Sequence, residues 1–190
     1  MESDDSDSDT DSCDKHIFLR ERVDAKSLEK QELYIQITYK SHPIGYLNAV
    51  IMDMESLKRG GFKDNKLHCQ DKEIEDELLL FYKSLNQVID TAVVFYITDF
   101  FLESSYRGLG LGGDILQQLP NWLKIHHPEV NDLYLFPYPL EKVNGKVECV
   151  QSNNPKKIME MRKKLIRFYL AHGLRKTQTE FLYMPIHPAA

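Results

Sequence analysis

An α/β fold in a single domain is what this sequence predicts, and three observations carry the prediction. Segments with the two-residue alternation of strands are interleaved with segments of helical apolar spacing. The most apolar segment, AVVFYITDFFL at 92–102, is β-branched and aromatic as a central strand should be, and it runs straight into the glycine-rich RGLGLGG at 107–113 and a helix. The length, 190 residues, suits one domain, and 42% hydrophobic with 28% charged residues is ordinary globular composition.

Taken in order, residues 1–14 hold only Ser, Thr, Asp, Glu, Met and Cys, too little apolar surface to offset the entropy of ordering. They are expected to be a disordered acidic tail, with the folded domain in 15–190. Ser3, Ser6, Ser8, Thr10 and Ser12 alternate with aspartates, a context that suits acidophilic kinases; a purely solubilising tail is the other reading. Seven of the 29 acids lie in this tail, so the body carries 24 basic against 22 acidic residues. A near-neutral body gives no electrostatic case for nucleic-acid binding. No apolar run reaches the roughly 18 residues needed to cross a bilayer, and an acidic start is unlike a signal or transit peptide. The expected location is cytoplasmic, with the nucleus left open.

Strands are expected at 16–23 and 32–39, the latter alternating Leu33, Ile35, Ile37 with Tyr34, Gln36, Thr38. A turn at Ser41-His42-Pro43 and renewed β-rich sequence at 45–52 make 32–53 an antiparallel hairpin. Glycines and polar residues at 59–65 mark a loop. Apolar residues at 74, 78, 81, 85 and 88 predict an amphipathic helix over 71–89, its acidic start matching the helix dipole. After the strand at 92–102 come a helix at 114–125, interrupted by Pro120, and a short strand at 132–136. A helix at 155–172 opens with Asn154 as cap and Pro155 in its first turn, and strands at 175–177 and 181–186 close the chain. Cys13, Cys69 and Cys149 are odd in number and lack C-x-x-C spacing, so reduced thiols are expected, Cys149 among them as a buried one; no metal site is expected. His126-His127, ending a helix before Pro128, suits the dipole and lacks a third ligand.

Chemistry concentrates where strand, glycine turn and helix follow one another, because glycines let backbone N–H groups converge on an anion at the positive end of a helix. The P-loop pattern fails, since Gly112 is followed by Gly113-Asp114 rather than Lys-Ser/Thr, and glycines at 108, 110, 112 and 113 do not spell the dinucleotide fingerprint.

Arg107-Gly108-Leu109-Gly110-Leu111-Gly112, with TDFFLESSY before it and GDIL after it, resembles the acetyl-CoA motif R/Q-x-x-G-x-G/A of the GNAT superfamily of N-acetyltransferases. A second segment, Phe168-Tyr169-Leu170-Ala171-His172-Gly173-Leu174, is similar to the helix end that family carries before its last two strands. The resemblance covers roughly 92–186. It implies a mixed, mostly antiparallel sheet of six or seven strands flanked by helices, with a cofactor cleft beside the central strand. Residues between the first strand and the hairpin are too few for the family's usual pair of N-terminal helices, and the helix at 71–89 is extra. Arg162 stands where the family often has an Asn.

The implied reaction is transfer of the acetyl group of acetyl-CoA, a co-substrate, to an amine. Backbone N–H groups of Gly108, Leu109, Gly110, Leu111, Gly112 and Gly113 would hold the pyrophosphate, with Arg107 either assisting or facing solvent. Phe101 and Leu102 would present backbone groups to the pantetheine arm and thioester. Tyr169 would be the general acid that returns a proton to the coenzyme thiolate, or else an aromatic at the edge of the core. Some family members carry a strand glutamate as base where this chain has Tyr96; Asp99, Glu103 or a water chain are the local substitutes, Asp99 being equally readable as a hydrogen-bonded buried carboxylate. The acceptor is expected to be a protein or peptide amine rather than a small molecule, gripped by Phe136-Pro137-Tyr138-Pro139 and Tyr183. The alternative is an acyl-CoA-binding regulatory or interaction module with a degenerate site.

Overall fold

The computed structural model describes residues 17–26, 30–60, 72–85 and 92–187. The acidic tail, the loop at 61–65 and the end of the helix predicted beyond Leu85 lie outside the described residues. In chain order the strands are β1 Ile17–Lys26, β2 Lys30–Tyr39, β3 His42–Asp53, β4 Val93–Leu102, β5 Asp132–Leu135, β6 Leu140–Val143, β7 Lys146–Cys149, β8 Arg175–Lys176 and β9 Leu182–Pro185. The helices are α1 Met54–Gly60, α2 Lys72–Leu85, α3 Leu111–His126 and α4 Pro155–Ala171. Seven strands form one sheet in the order β1-β2-β3-β4-β5-β9-β8, antiparallel at every step except β4 with β5, which are parallel. The expected mixed, mostly antiparallel sheet of six or seven strands, flanked by helices, is therefore present. None of the described helices is long and apolar enough to cross a membrane.

Alternation along the strands sends apolar side chains to two cores. From β4, Phe95 and Ile97 join Leu33, Ile35 and Ile37 of β2 and Ile115, Leu116, Leu119 and Leu123 of α3 on one face. Val94 and Tyr96 turn to the other face, where Leu57 of α1 and Leu78 and Phe81 of α2 cover them. Each of those aliphatic side chains contributes roughly 1.5–3 kcal/mol on burial. The two-residue turn at Lys40-Ser41, both with positive φ (48° and 67°), has the backbone twist that two-residue hairpins prefer.

Four features depart from the sequence reading. Helix α1 occupies part of what reads as a loop; Asp53 starts it, its carboxylate accepting from the Ser56 N–H at 2.9 Å and the Ser56 hydroxyl at 2.8 Å. A separate hairpin, β6 with β7, turns at Asn144-Gly145 with φ of 51° and 83°. Helix α3 begins three residues earlier than expected and runs unbroken through Pro120, whose missing N–H is outweighed by the buried Leu116, Leu119 and Leu123 around it. Cys149, expected to be buried, is exposed, because it lies on β7, in a two-stranded hairpin outside the main sheet. The cap of α4 is as read: Asn154 Oδ1 accepts from the Lys156 N–H at 3.1 Å, with Pro155 in the first turn.

Candidate active site

Two local events at one level of the sheet create the site. Parallel pairing of β4 with β5 stops at Ile97 opposite Leu135. The next residues, Phe136-Pro137-Tyr138-Pro139, include two prolines that have no N–H to continue a ladder, so the strands part. On the other side of β4 the register with β3 slips between Ala49 opposite Ile97 and Asn48 opposite Asp99, leaving Thr98 as a bulge. One extra residue reverses the side-chain phase. Beyond the bulge Phe100 and Leu102 therefore turn to the face of α3 and α4, while Asp99 and Phe101 turn to the face of α2.

A cleft of about 680 Å³ fills the gap on the α3 and α4 side. Its walls are Phe100 and Leu102 of β4, Tyr138 to Leu140, and Met161, Leu165, Phe168 and Tyr169 of α4. Its end is the glycine turn. Gly108 and Gly110 both have left-handed φ, 76° and 80°, conformations open to glycine at little cost, and Gly110 is the cap from which α3 starts. The N-terminus of α3, with the positive end of its dipole, thus lies at the cleft, which Gly110, Gly112 and Gly113 line. Gly112 and Gly113 follow for a different reason. A Cβ at Gly113 would lie 2.2 Å from His172 Nε2 and one at Gly112 3.2 Å from the Phe168 ring, so these glycines let α4 approach α3 closely.

A second, smaller cavity of about 160 Å³ opens on the α2 side of the split. Phe100, Tyr138, Leu140 and Tyr169 line both cavities, so the two adjoin along these four residues. Burial alone pushes the Tyr169 phenol well above its usual range, so it stays protonated at neutral pH. The smaller cavity also carries Asp99, Glu77 and Glu148. Asp99 Oδ2 accepts from Asn48 Nδ2 at 2.9 Å. Glu77, on α2, accepts a hydrogen bond from the Tyr96 hydroxyl. Its burial pushes the carboxyl up to about 7, against the opposing pull of that hydrogen bond and with a smaller contribution from Asp99.

The candidates read from sequence fall into two groups. Tyr169, Leu102, Arg107, Gly108, Gly110, Gly112 and Gly113 line the cleft, and Asp99 lines the smaller cavity. Phe101, Leu109, Leu111 and Glu103 line neither. The Phe101 ring lies tilted against Tyr46 at 5.7 Å, Leu109 is exposed, Leu111 is in the core, and Glu103 accepts a 2.6 Å hydrogen bond from Lys142. Arg107 Nε donates to the Leu102 carbonyl at 2.7 Å with its guanidinium 4.9 Å from the Phe101 ring, which ties it to the strand end. The Gly113 N–H is already bonded to the Gly110 carbonyl at 3.0 Å. Tyr183 stacks on Tyr134 at 5.9 Å and lines neither cavity, whereas Tyr138 lines both.

Three residues were not singled out from the sequence. Lys164 and His172 line the cleft from α4 and the turn after it, and Glu77 lines the smaller cavity. Helical spacing offers a signal for Lys164, one turn before Phe168 on the same face. Nothing local marks Glu77 among the five acids of 71–77. His126 and His127 share no metal site, and among the described residues no three His, Cys, Asp or Glu side chains gather as ligands. His127 instead bonds Glu21 at 2.8 Å, tying the end of α3 to β1.

No family model and no curated protein matches the sequence. Solved structures similar to this chain include AAC(6')-Ib in complex with paromomycin and acetyl-CoA, at 16% identity and a TM-score of 0.42 over 81% of this chain and 64% of that one. An apo mutant of agmatine N-acetyltransferase is similar at 8% identity, with a TM-score of 0.47 over 80% of this chain and 75% of that one. Arylalkylamine N-acetyltransferase 2 from Aedes aegypti is similar at 10% identity and a TM-score of 0.46, over 81% and 73%. This chain thus spans less than two thirds of the length of the AAC(6')-Ib chain.

Proposed function

We propose that this chain is a GNAT-type N-acyltransferase that moves the acetyl group of acetyl-CoA to an amine. The observation that carries the reading is the junction at Tyr169: a long cleft ending on a helix N-terminus and a small carboxylate-bearing cavity meet at one protonated phenol. A two-substrate transfer needs its reactants held against each other, and two adjoining cavities give each a place.

The cleft suits acetyl-CoA by its chemistry. Gly108 and Gly110 turn the backbone so that the first N–H groups of α3 face an anion, Lys164 adds a cation on the wall, and Leu102, Met161, Leu165 and Phe168 offer apolar surface to a pantetheine arm. With Arg107 bound to the Leu102 carbonyl, backbone groups and Lys164 carry the phosphate recognition. In the transfer a neutral amine forms the new N–C bond to the thioester carbonyl and the C–S bond breaks. The proton lost by the nitrogen ends on sulfur, delivered by the Tyr169 hydroxyl, which burial keeps protonated at neutral pH.

The acceptor is an amine on a narrow group. The smaller cavity is about 160 Å³, and the aromatic pair expected to grip a peptide is split, Tyr138 lying at the site and Tyr183 packed on Tyr134. A small amine or a single amine-bearing side chain fits that space, and a broad peptide groove is not required. The competing reading, a module that binds acyl-CoA without turnover, makes the same cofactor prediction and differs only in chemistry.

Thermal-shift titration with acetyl-CoA tests the cofactor half. A ligand that binds only the native state raises stability by RT ln(1 + [L]/Kd), about 2.7 kcal/mol at one hundred times Kd. The wild type should shift and Met161→Trp, which fills the cleft from α4, should not. Equal shifts in both would place the ligand elsewhere.

A further inference from the structure

We propose that Glu77, brought to the sheet by α2, is the general base that deprotonates the incoming amine, an assignment that rests on the acyltransfer reading above. The smaller cavity is where an amine would approach the thioester, and four carboxylates lie in or near it. Glu103 lines neither cavity and is paired with Lys142. Asp99 also lines the cavity, its Oδ2 accepting from the Asn48 amide, and the Asp99→Asn variant below separates it from Glu77. Glu148 is an exposed residue on β7. Glu77 lies among the rest in the cavity lining, with one carboxylate oxygen fixed by the Tyr96 hydroxyl. A carboxylate anchored at one oxygen in a small cavity whose lining includes Ile97, Phe100, Leu135 and Val147 beside its polar groups is positioned and partly desolvated, which is what a base working near neutral pH needs.

The groups facing it are Tyr96 and Asp99 from β4, Tyr138 from the segment after β5, Glu148 and Cys149 from β7, and Tyr169 from α4; no lysine or arginine is among the lining residues. Burial among them is what raises the Glu77 carboxyl to about 7. The proton account closes. An ammonium acceptor gives its first proton to the Glu77 carboxylate, which releases it to solvent. The neutral amine then forms the N–C bond, the C–S bond breaks, and the second nitrogen proton ends on the coenzyme sulfur by way of Tyr169. The products are the amide, the free thiol and one proton.

The sequence hides this residue because its base function is split between elements. Tyr96 occupies the strand position and is fully buried under Phe81, and its hydroxyl reaches out to a carboxylate supplied from the preceding helix.

The test is a pH profile of kcat/KM for acetyl-CoA with spermidine, phenethylamine and a lysine peptide as acceptors, read as free thiol. The wild type should rise with an apparent pKa near 7 before any rise set by the amine itself. Glu77→Gln, which keeps an acceptor for the Tyr96 hydroxyl, should lose that limb and fall on the order of 10²-fold at pH 7.5, with its acetyl-CoA thermal shift unchanged. Glu77→Asp should recover part of the rate with the limb, and Asp99→Asn should keep the limb. A stability readout independent of turnover accompanies these. A carboxyl whose folded pKa is raised stabilises the fold when protonated, and that stability is lost as pH rises through about 7. Glu77→Gln should therefore melt above the wild type at pH 8, with the difference shrinking towards pH 5. A Glu77→Gln enzyme that keeps the limb within a few-fold of wild-type rate overturns the assignment and leaves the acyltransfer reading standing. A wild type that binds acetyl-CoA and releases no thiol with any amine overturns both.

Discussion

On one face of the sheet α3 and α4 lie over a broad aliphatic floor of Leu33, Ile35, Ile37, Ile97, Leu133 and Leu135, with Ile115, Leu116, Leu119 and Leu123 set into it. On the other, α2 rests on an aromatic cluster in which Phe81 is 4.7 Å from the Tyr96 ring, 5.2 Å from Tyr134 and 5.3 Å from Phe181. The first face holds the larger cleft, proposed above for acetyl-CoA, and the second holds the smaller cavity with Glu77. Many interchangeable aliphatic contacts make a face that tolerates single losses, whereas α2 is seated through few described buried side chains, Leu78 and the Phe81 ring, and leans on each of them. The two half-sites should therefore respond differently to damage.

Phe81→Ala should give the largest effect. Truncating a fully buried Phe costs about 3–5 kcal/mol. Because Glu77 and Phe81 lie one helical turn apart on α2, the base should be lost along with the packing, while acetyl-CoA binding on the opposite face persists in whatever fraction remains folded. Chemical denaturation followed by acetyl-CoA titration under native conditions checks both halves. Loss of cofactor binding in a folded Phe81→Ala protein would show that the two faces are not separable.

Next in size is Tyr169→Phe, which keeps the buried ring and removes the hydroxyl where the cavities meet. The expected result is a fall in kcat of roughly 10²–10³-fold with acetyl-CoA affinity unchanged, measured by steady-state kinetics beside titration calorimetry. An unaltered kcat would return Tyr169 to a packing role. Smaller still is Gly113→Ala, whose new methyl must displace His172, the ring 2.2 Å away and itself bonded through Nδ1 to the Phe168 carbonyl at 2.7 Å. Overpacking of this kind costs about 1–3 kcal/mol. It should loosen the α3 and α4 contact and weaken acetyl-CoA binding, with no effect on the pH limb assigned to Glu77. A change in that limb would again couple the faces.

The same contrast explains what was legible in the sequence. The face with the larger cleft announces itself because its elements are contiguous: β4, the glycine turn and α3 follow one another in 93–126, and the end of α4 is a compact segment. The roles of Gly108 and Gly110 follow from backbone conformation, which glycine spacing encodes locally. The role of Gly113 does not, since it answers to His172, far along the chain. Phe101 shows a subtler limit. Strand periodicity predicts the alternation but not the bulge at Thr98, and the bulge decides that Phe100 and Leu102, rather than Phe101, reach the cleft. Two missed elements did carry signals: Asp53 three residues before Ser56 is a helix cap, and Asn144-Gly145 between short β segments is a hairpin turn. The smaller cavity, proposed above for the acceptor, was illegible because it is assembled from Glu77, Asp99, Glu148 and Tyr169, residues from four elements with no shared spacing.

Thiol release from acetyl-CoA, followed beside acetylated product, bears most directly on the central claim that the two cavities meeting at Tyr169 form one transfer site. The account predicts that release by the wild type requires an added primary amine and matches acetylated amine one to one. Tight binding of acetyl-CoA with no amine-dependent thiol release would contradict it and leave a binding module.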